Sequence, residues 1–307
     1  MTFGPQVGSD EASLMVRRFL DAGHREIDSA FVYNSGDTER MLGGILPDLE
    51  RSSFSIATKV NPRISGRLDG EAVQAQLRES LERMNLGKAD ILYFHFPDPR
   101  TPVEGALEAC AELHSEGLFD ELGLSNFAAW QVIDIWHICR CEGWPTPSVY
   151  QGLYNGLSRG VESELIPALR WLGMRFCAYN PLAGGILAGR YRDFGGDPSE
   201  GRFTERPNYR NRYWKKPFFD ALEILRQACE REGASLVETA FRWLASHSAL
   251  DPSEGDAVIL GASSLAQLEQ NLSAMQRSPL PEPIVSAFDA AWEAARPECP
   301  SYFRSSV

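Results

Sequence analysis

The sequence predicts an α/β protein of the TIM-barrel class, a single (β/α)8 domain over residues 1–307. Three observations carry that prediction. Short β-branched or apolar runs alternate with amphipathic stretches along most of the chain, which implies strands joined by helices into a parallel sheet. About eight such units over this length favour a closed barrel. The glycine-rich turn that opens a doubly wound dinucleotide-binding sheet is missing, because Gly4-Pro5-Gln6-Val7-Gly8 is not GxGxxG and Gly184 to Gly189 comes late in the chain.

Taken in order, the short glycine-containing run Thr2 to Gly8 is expected to supply the first of eight strands. A helix over Ser9 to Ala22 stops at Gly23, and strands follow at Arg25 to Ser29 and Ser53 to Val60. Helix Asp69 to Met84 leads to strand Ala89 to His95. Thr101-Pro102-Val103-Glu104 has the form of a capped start with proline in the first turn, for a helix running to Gly117. Strand Glu121 to Ser125, helix Ala128 to Glu142, strand Ser148 to Gln151, helix Val161 to Leu172 and strand Met174 to Tyr179 continue the pattern, with Gly173 as a helix stop. Arg190 to Lys216, rich in Gly, Pro, Arg and Tyr, is expected to be a long loop over the active face after the seventh strand. Ala257 to Leu260 is the last strand.

The composition excludes several function classes. A formal net charge of −12 opposes a polyphosphate partner, so no nucleic acid is expected. No apolar run is long enough to span a bilayer and Met1 to Asp10 lacks a signal-peptide pattern, so the expected location is cytoplasmic, away from membranes. The six cysteines lack metal-site spacing and are expected to be reduced thiols, with no metal bound.

In a barrel the C-terminal ends of the strands converge on one site, so polar residues there carry functional weight. Those ends hold Asp28 followed by Tyr33, Lys59, His95, Ser125 with Asn126, Gln151, Tyr179, and Gly261 with Ser263. The lysine is conspicuous. An isolated ammonium at the end of a buried strand such as "SFSIATKVNP" costs several kcal/mol unless it is paired. Asp28 can compensate Lys59, and the ammonium can lower the pKa of the Tyr33 phenol, making it a proton donor, while His95 can orient a carbonyl oxygen or share the proton. Asn126 and Gln151 can pair with a carboxamide and Tyr179 can stack on a nicotinamide ring. Together they suggest carbonyl reduction with a nicotinamide cofactor as hydride source.

The stretches "EIDSAFVYNSGDTERMLGG", "IATKVNP", "ELGLSNF", "VYQGLYN", "AYNPLAGGILAGRY", "YRNRYWK", "GDAVILGASSLAQLEQNL" and "ECPSYFR" resemble the aldo-keto reductase superfamily, in its aflatoxin aldehyde reductase and succinic semialdehyde reductase branch. The resemblance implies a (β/α)8 barrel with a C-terminal tail over the active face and a catalytic tetrad at Asp28, Tyr33, Lys59 and His95. It also implies carboxamide contacts from Ser125, Asn126 and Gln151, stacking by Tyr179, and a pyrophosphate held around Pro181, Leu182 and Gly184. Gly261, Ser263, Gln267, Gln270 and Asn271 would surround the adenosine phosphate. NADPH is expected over NADH by family habit, although Gly261 to Asn271 contains no basic residue. Arg212 is the candidate for the 2′-phosphate, or else for a substrate carboxylate. The short "TFGPQVG" replaces the family's longer glycine and methionine segment, so a frayed first strand or an altered cofactor rim is expected there. Phe31, Trp214 and Phe303 are the expected substrate-pocket walls. The expected activity is reduction of an aldehyde or ketone, a small-molecule carbonyl. The alternatives are a biosynthetic ketoreductase for a sugar or polyketide intermediate, and a non-catalytic cofactor-sensing subunit of the kind that potassium-channel β-subunits represent. A homodimer fits the habit of relatives.

Overall fold

Seven strands form one all-parallel sheet in strict chain order, β1 Glu26–Asp28, β2 Ser55–Val60, β3 Ile91–Phe94, β4 Glu121–Ser125, β5 Val149–Leu153, β6 Arg175–Tyr179 and β7 Ala257–Val258. This is a computed structural model, and it describes residues 2–191, 194–196, 202–205 and 207–304. Every expected strand from Arg25 onward is present, shifted at its ends by no more than two residues.

The first expected strand is not. Thr2 to Gly8 curls into a turn, with the Gly4 N–H donating to Val7 O at 3.0 Å and the Val7 N–H to Thr2 O at 3.1 Å. Gly4, with φ +111°, allows that turn, and Phe3 meets Val7 only in an isolated bridge. The long loop therefore follows the sixth strand formed and not a seventh. Among the described residues β7 does not pair with β1, and the gap between these edges is walled by Phe3, Phe19, Leu260, Leu268 and Leu272.

Helices connect successive strands and cover the outer face of the sheet. Gly70–Met84, capped by the Asp69 side chain on the Ala72 N–H, packs its buried Val73, Leu77 and Leu81 toward the sheet. The helix expected from Thr101 begins instead at Glu104, because Thr101 Oγ1 donates to Asp98 at 2.7 Å and stays in the preceding loop. The long segment after β6 is less irregular than its composition suggests, since Arg202–Glu205 and Pro207–Tyr213 are helical.

Strand residues alternate between two cores. Outward side chains such as Ile56, Leu92, Leu122, Tyr150 and Phe176 join the large core under the helices. Inward ones stack in layers, as register demands: Ala57 opposes Ile91, Lys59 opposes Tyr93, and Ser125 opposes Gln151. The lowest layer is ionic, with Arg175 bonded to Glu26 at 2.9 Å and within 3.6 Å of Glu121. The middle layer, Ala57, Ile91, Tyr93, Val149 and Cys177, is apolar and almost solvent-free. Above it, the same inward parity delivers Asp28, Lys59, His95, Ser125, Gln151 and Tyr179 to the C-terminal end.

Candidate active site

Asp28 is the hub of that top layer. Its Oδ1 accepts from Lys59 Nζ at 2.6 Å and from Gln151 Nε2 at 2.8 Å, and its Oδ2 accepts from the Tyr33 hydroxyl at 3.2 Å. Lys59 has no exposed side-chain surface and also donates to Ser29 O at 2.7 Å. The buried ammonium is thus paired, with two of its three donors engaged, as the sequence demanded. Burial lowers its pKa, opposed by Asp28. Its Nζ lies 4.7 Å from the centroid of the Tyr33 ring.

The phenol differs from the sequence expectation. Burial first, then the charge of Asp28, pushes Tyr33 well above the usual tyrosine range, so the net shift is upward despite the ammonium nearby. Lys59 and Tyr33 share the Asp28 carboxylate as acceptor. The consequence still suits a proton donor, because the hydroxyl keeps its proton across the neutral range.

His95 follows β3 and meets Tyr33 edge to face, with ring centroids 6.1 Å apart at 90°. Burial, then Lys59 and Arg63, hold the imidazole well below the usual histidine pKa, so it is neutral. Asn126 reaches the left-handed region, φ +65°, at the end of β4. From there its Nδ2 donates to His95 O and to Ser125 Oγ, both at 2.9 Å, and its Oδ1 accepts from the Tyr179 hydroxyl at 2.9 Å. The C-terminal tail crosses this face, the Arg304 N–H donating to Asn126 O at 2.9 Å and Tyr302 donating to Glu164 at 3.1 Å.

A cleft of about 1430 Å³ opens at this end and continues along the gap between β7 and β1. Asp28, Tyr33 and His95 line it, with Lys59 directly beneath. So do all of Ser125, Asn126, Gln151, Tyr179, Pro181, Leu182, Gly184, Arg212, Gly261, Ser263, Gln267, Gln270 and Asn271. The substrate-wall expectations fare differently. Phe31 packs under Arg83 at 4.5 Å, Trp214 sits among Tyr191, Phe203 and Phe219 with centroids 5.1, 5.3 and 4.9 Å away, and Phe303 packs on Tyr302. None of the three lines the cleft; Phe96 and Arg63, stacked at 4.1 Å, do.

The residues present fit a dinucleotide. Asn180 Nδ2 is buried without a hydrogen-bond partner beside Pro181 and Leu182 in the cleft wall, a donor left for an acceptor that the protein does not supply. Gly184, with φ +69°, brings backbone against the Tyr209 and Tyr213 rings where a Cβ would lie 2.8 Å from one of them. Farther along, helix Leu265–Met275 starts at the cleft wall, where the Ser263 N–H donates to Gln267 Oε1 at 3.0 Å, the Leu265 N–H to Glu11 Oε1 at 3.0 Å and the Gln267 N–H to Ser264 Oγ at 3.3 Å, acceptors that a phosphate at this end would have to displace.

The profile of the aldo/keto reductase family matches residues 1–293. The chain belongs to the aldo/keto reductase family. It is 45% identical to the mouse (Mus musculus) aflatoxin B1 aldehyde reductase member 2 over 99% of this chain and 86% of that one. It is equally 45% identical to the human (Homo sapiens) aldo-keto reductase family 7 member A3, over 99% of this chain and 95% of that one. A fungal relative, the aldo-keto reductase pigE of Monascus ruber, is 33% identical over 95% of this chain and 90% of its own length. This aldo/keto reductase is an oxidoreductase that works on small carbonyl compounds with a nicotinamide cofactor. No helix among its described residues is long and apolar enough to cross a membrane.

Sequence reasoning missed Asn61 and Arg63. Asn61, directly after β2, is 1% exposed and caps the turn Pro62–Ser65. The "NP" that follows a strand and opens a helical turn could have marked it. It also missed the support beneath the Tyr33 loop, where buried Glu39 accepts from Thr58 Oγ1 and Arg83 Nε, both at 2.6 Å.

Proposed function

We propose that this protein is an NADPH-dependent reductase of aldehydes, with Tyr33 as the general acid. The observation that carries this reading is the single carboxylate, Asp28, that joins Tyr33, Lys59 and Gln151 at the floor of the cleft. When bound, the nicotinamide supplies the hydride. The chain's own residues do the rest. Ser125, Asn126 and Gln151 surround the carboxamide, and Tyr179 provides the stacking face. The neutral His95 orients the carbonyl oxygen toward Tyr33, which delivers its proton as negative charge develops there, and the Lys59 ammonium, held in place by Asp28, offsets the charge of the phenolate left behind. Preference for NADPH rests on family habit.

A finer reading of the substrate follows from one cluster. Arg212 has Tyr179, Tyr209, Tyr213 and Arg304 as its electrostatic neighbours, all at the catalytic end of the cleft. Burial, then Arg212 and later Arg63, lower the pKa of Arg304, so Arg304 feels both of the other guanidinium groups. Among the described residues no carboxylate pairs with Arg63, Arg212 or Arg304. These guanidinium groups support the reading of an anionic carbonyl as substrate, such as an aldehyde carrying a carboxylate, with Arg212 as a contact of that carboxylate rather than of the 2′-phosphate.

Fluorescence titration with NADPH and NADH, followed by NADPH consumption with succinic semialdehyde, methylglyoxal and an aromatic aldehyde, tests the proposal. Tight binding with turnover supports it. Tight binding without turnover on any of them favours the sensing or biosynthetic alternatives.

A further inference from the structure

His95 is neutral, so one ring nitrogen carries the proton and the other a lone pair, and only the protonated one can donate to a carbonyl oxygen. The identity of that nitrogen is set by the partner of the other. That partner is Asn61, whose Nδ2 lies 3.4 Å from His95 Nδ1.

The amide of Asn61 has one allowed orientation. Its Oδ1 accepts the Arg63 N–H at 2.9 Å, capping Pro62–Ser65; turning the amide over would set two donors against each other there. Nδ2 therefore faces the imidazole as a donor, and Nδ1 must be an acceptor. The backbone of Asn61 is held as firmly, since its N–H donates to Gln76 Oε1 at 2.8 Å and its carbonyl accepts from Gln76 Nε2 at 3.2 Å. Gln76, buried on helix Gly70–Met84, grips the residue from behind. Stacking of the His95 ring on Phe96, with centroids 4.7 Å apart, fixes the plane of the imidazole.

We propose that Asn61 is a positioning residue that locks His95 as its Nε2–H tautomer, so that the imidazole presents a donor and not a lone pair to the substrate oxygen. The catalytic consequence rests on the reductase reading above; the tautomer does not. The groups that face the ring agree with a neutral imidazole: Lys59 from β2, Arg63 from the Pro62–Ser65 turn with Arg304 of the tail beyond it, and the Tyr33 phenol from the loop after β1. Asp28, the carboxylate at this level, is engaged by Lys59, Tyr33 and Gln151.

The test is ¹⁵N-imidazole NMR of the whole protein, with His95 assigned among the five histidines by its loss in His95→Gln. The wild type should show a neutral ring protonated at Nε2 at neutral pH. Asn61→Asp keeps the acceptor for the Arg63 N–H but cannot donate, so the His95 proton should move to Nδ1 and the ring should become easier to protonate. The pH profile of turnover then separates positioning from mere structure. Asn61→Asp should lose about 100-fold in kcat on the alkaline side, the cost of one donor to a developing oxyanion, and recover as falling pH restores the Nε2 proton. A wild-type ring protonated at Nδ1 would overturn the proposal, as would an Asn61→Asp spectrum that matches the wild type. If the wild type reduces no carbonyl, the spectra still decide the tautomer, and only the reductase reading falls.

Discussion

Tyr33 and His95 carry opposite demands on the proton, and their surroundings meet both. The phenol, pushed up by burial and by Asp28, keeps its proton, so the reduction rate should hold level from neutrality to about pH 10. Tyr33→Phe keeps the ring and removes the proton, and kcat should fall roughly 100- to 10,000-fold while the NADPH dissociation constant stays put. Stopped-flow measurement of the two constants checks this; a retained rate refutes the assignment of Tyr33. His95 affects stability with a defined sign. Its folded pKa lies below the unfolded value of about 6.5, so unfolding takes up a proton below that pH and stability falls as the pH drops. Urea unfolding at about pH 7.5 and about pH 5.5 should therefore show a larger loss in the wild type than in His95→Gln.

At the level of strands and helices, the site was legible wherever strand parity decides direction. Asp28, Lys59, His95, Ser125, Gln151 and Tyr179 all stand at inward positions of strand ends, which the sequence pattern specifies once the strands are found. Phe31, Trp214 and Phe303 stand in loops or the tail, where no periodicity says which way a ring turns, and each is drawn off by a neighbour. The same limit hid Arg63. Thr2 to Gly8 is the short run available to supply an eighth strand, yet its own backbone hydrogen bonds close it into a turn. Strand β4 makes a quantitative point about the barrel interior. Gly123 leaves room for the Tyr93 ring, and a Cβ there would lie 2.4 Å from it. Gly123→Ala should cost about 1–3 kcal/mol by overpacking, read as a lower urea midpoint. An unchanged midpoint would show that the ring can yield.

Among the described residues the parallel sheet ends in two unpaired edges, β1 and β7, on either side of the cleft. Amides of β1 and β7 should exchange with deuterium sooner than those of β3, β4 and β5, which are bonded on both sides. NADPH bound as proposed, against Gly261 to Asn271, should slow exchange around β7 more than around β4. Uniform protection across the sheet would contradict this picture. The bonds of Asp28 also impose an order in time. Lys59 is 31 residues from it along the chain, whereas Gln151 is 123 residues away. On the ribosome, Asp28 and Lys59 emerge together and can neutralise each other early, but the carboxylate acquires its third partner only after strands β3 and β4 and the start of β5 have been made. A nascent chain stopped short of Gln151 holds a paired charge and no finished site, so the enzyme stays chemically silent until most of its scaffold exists.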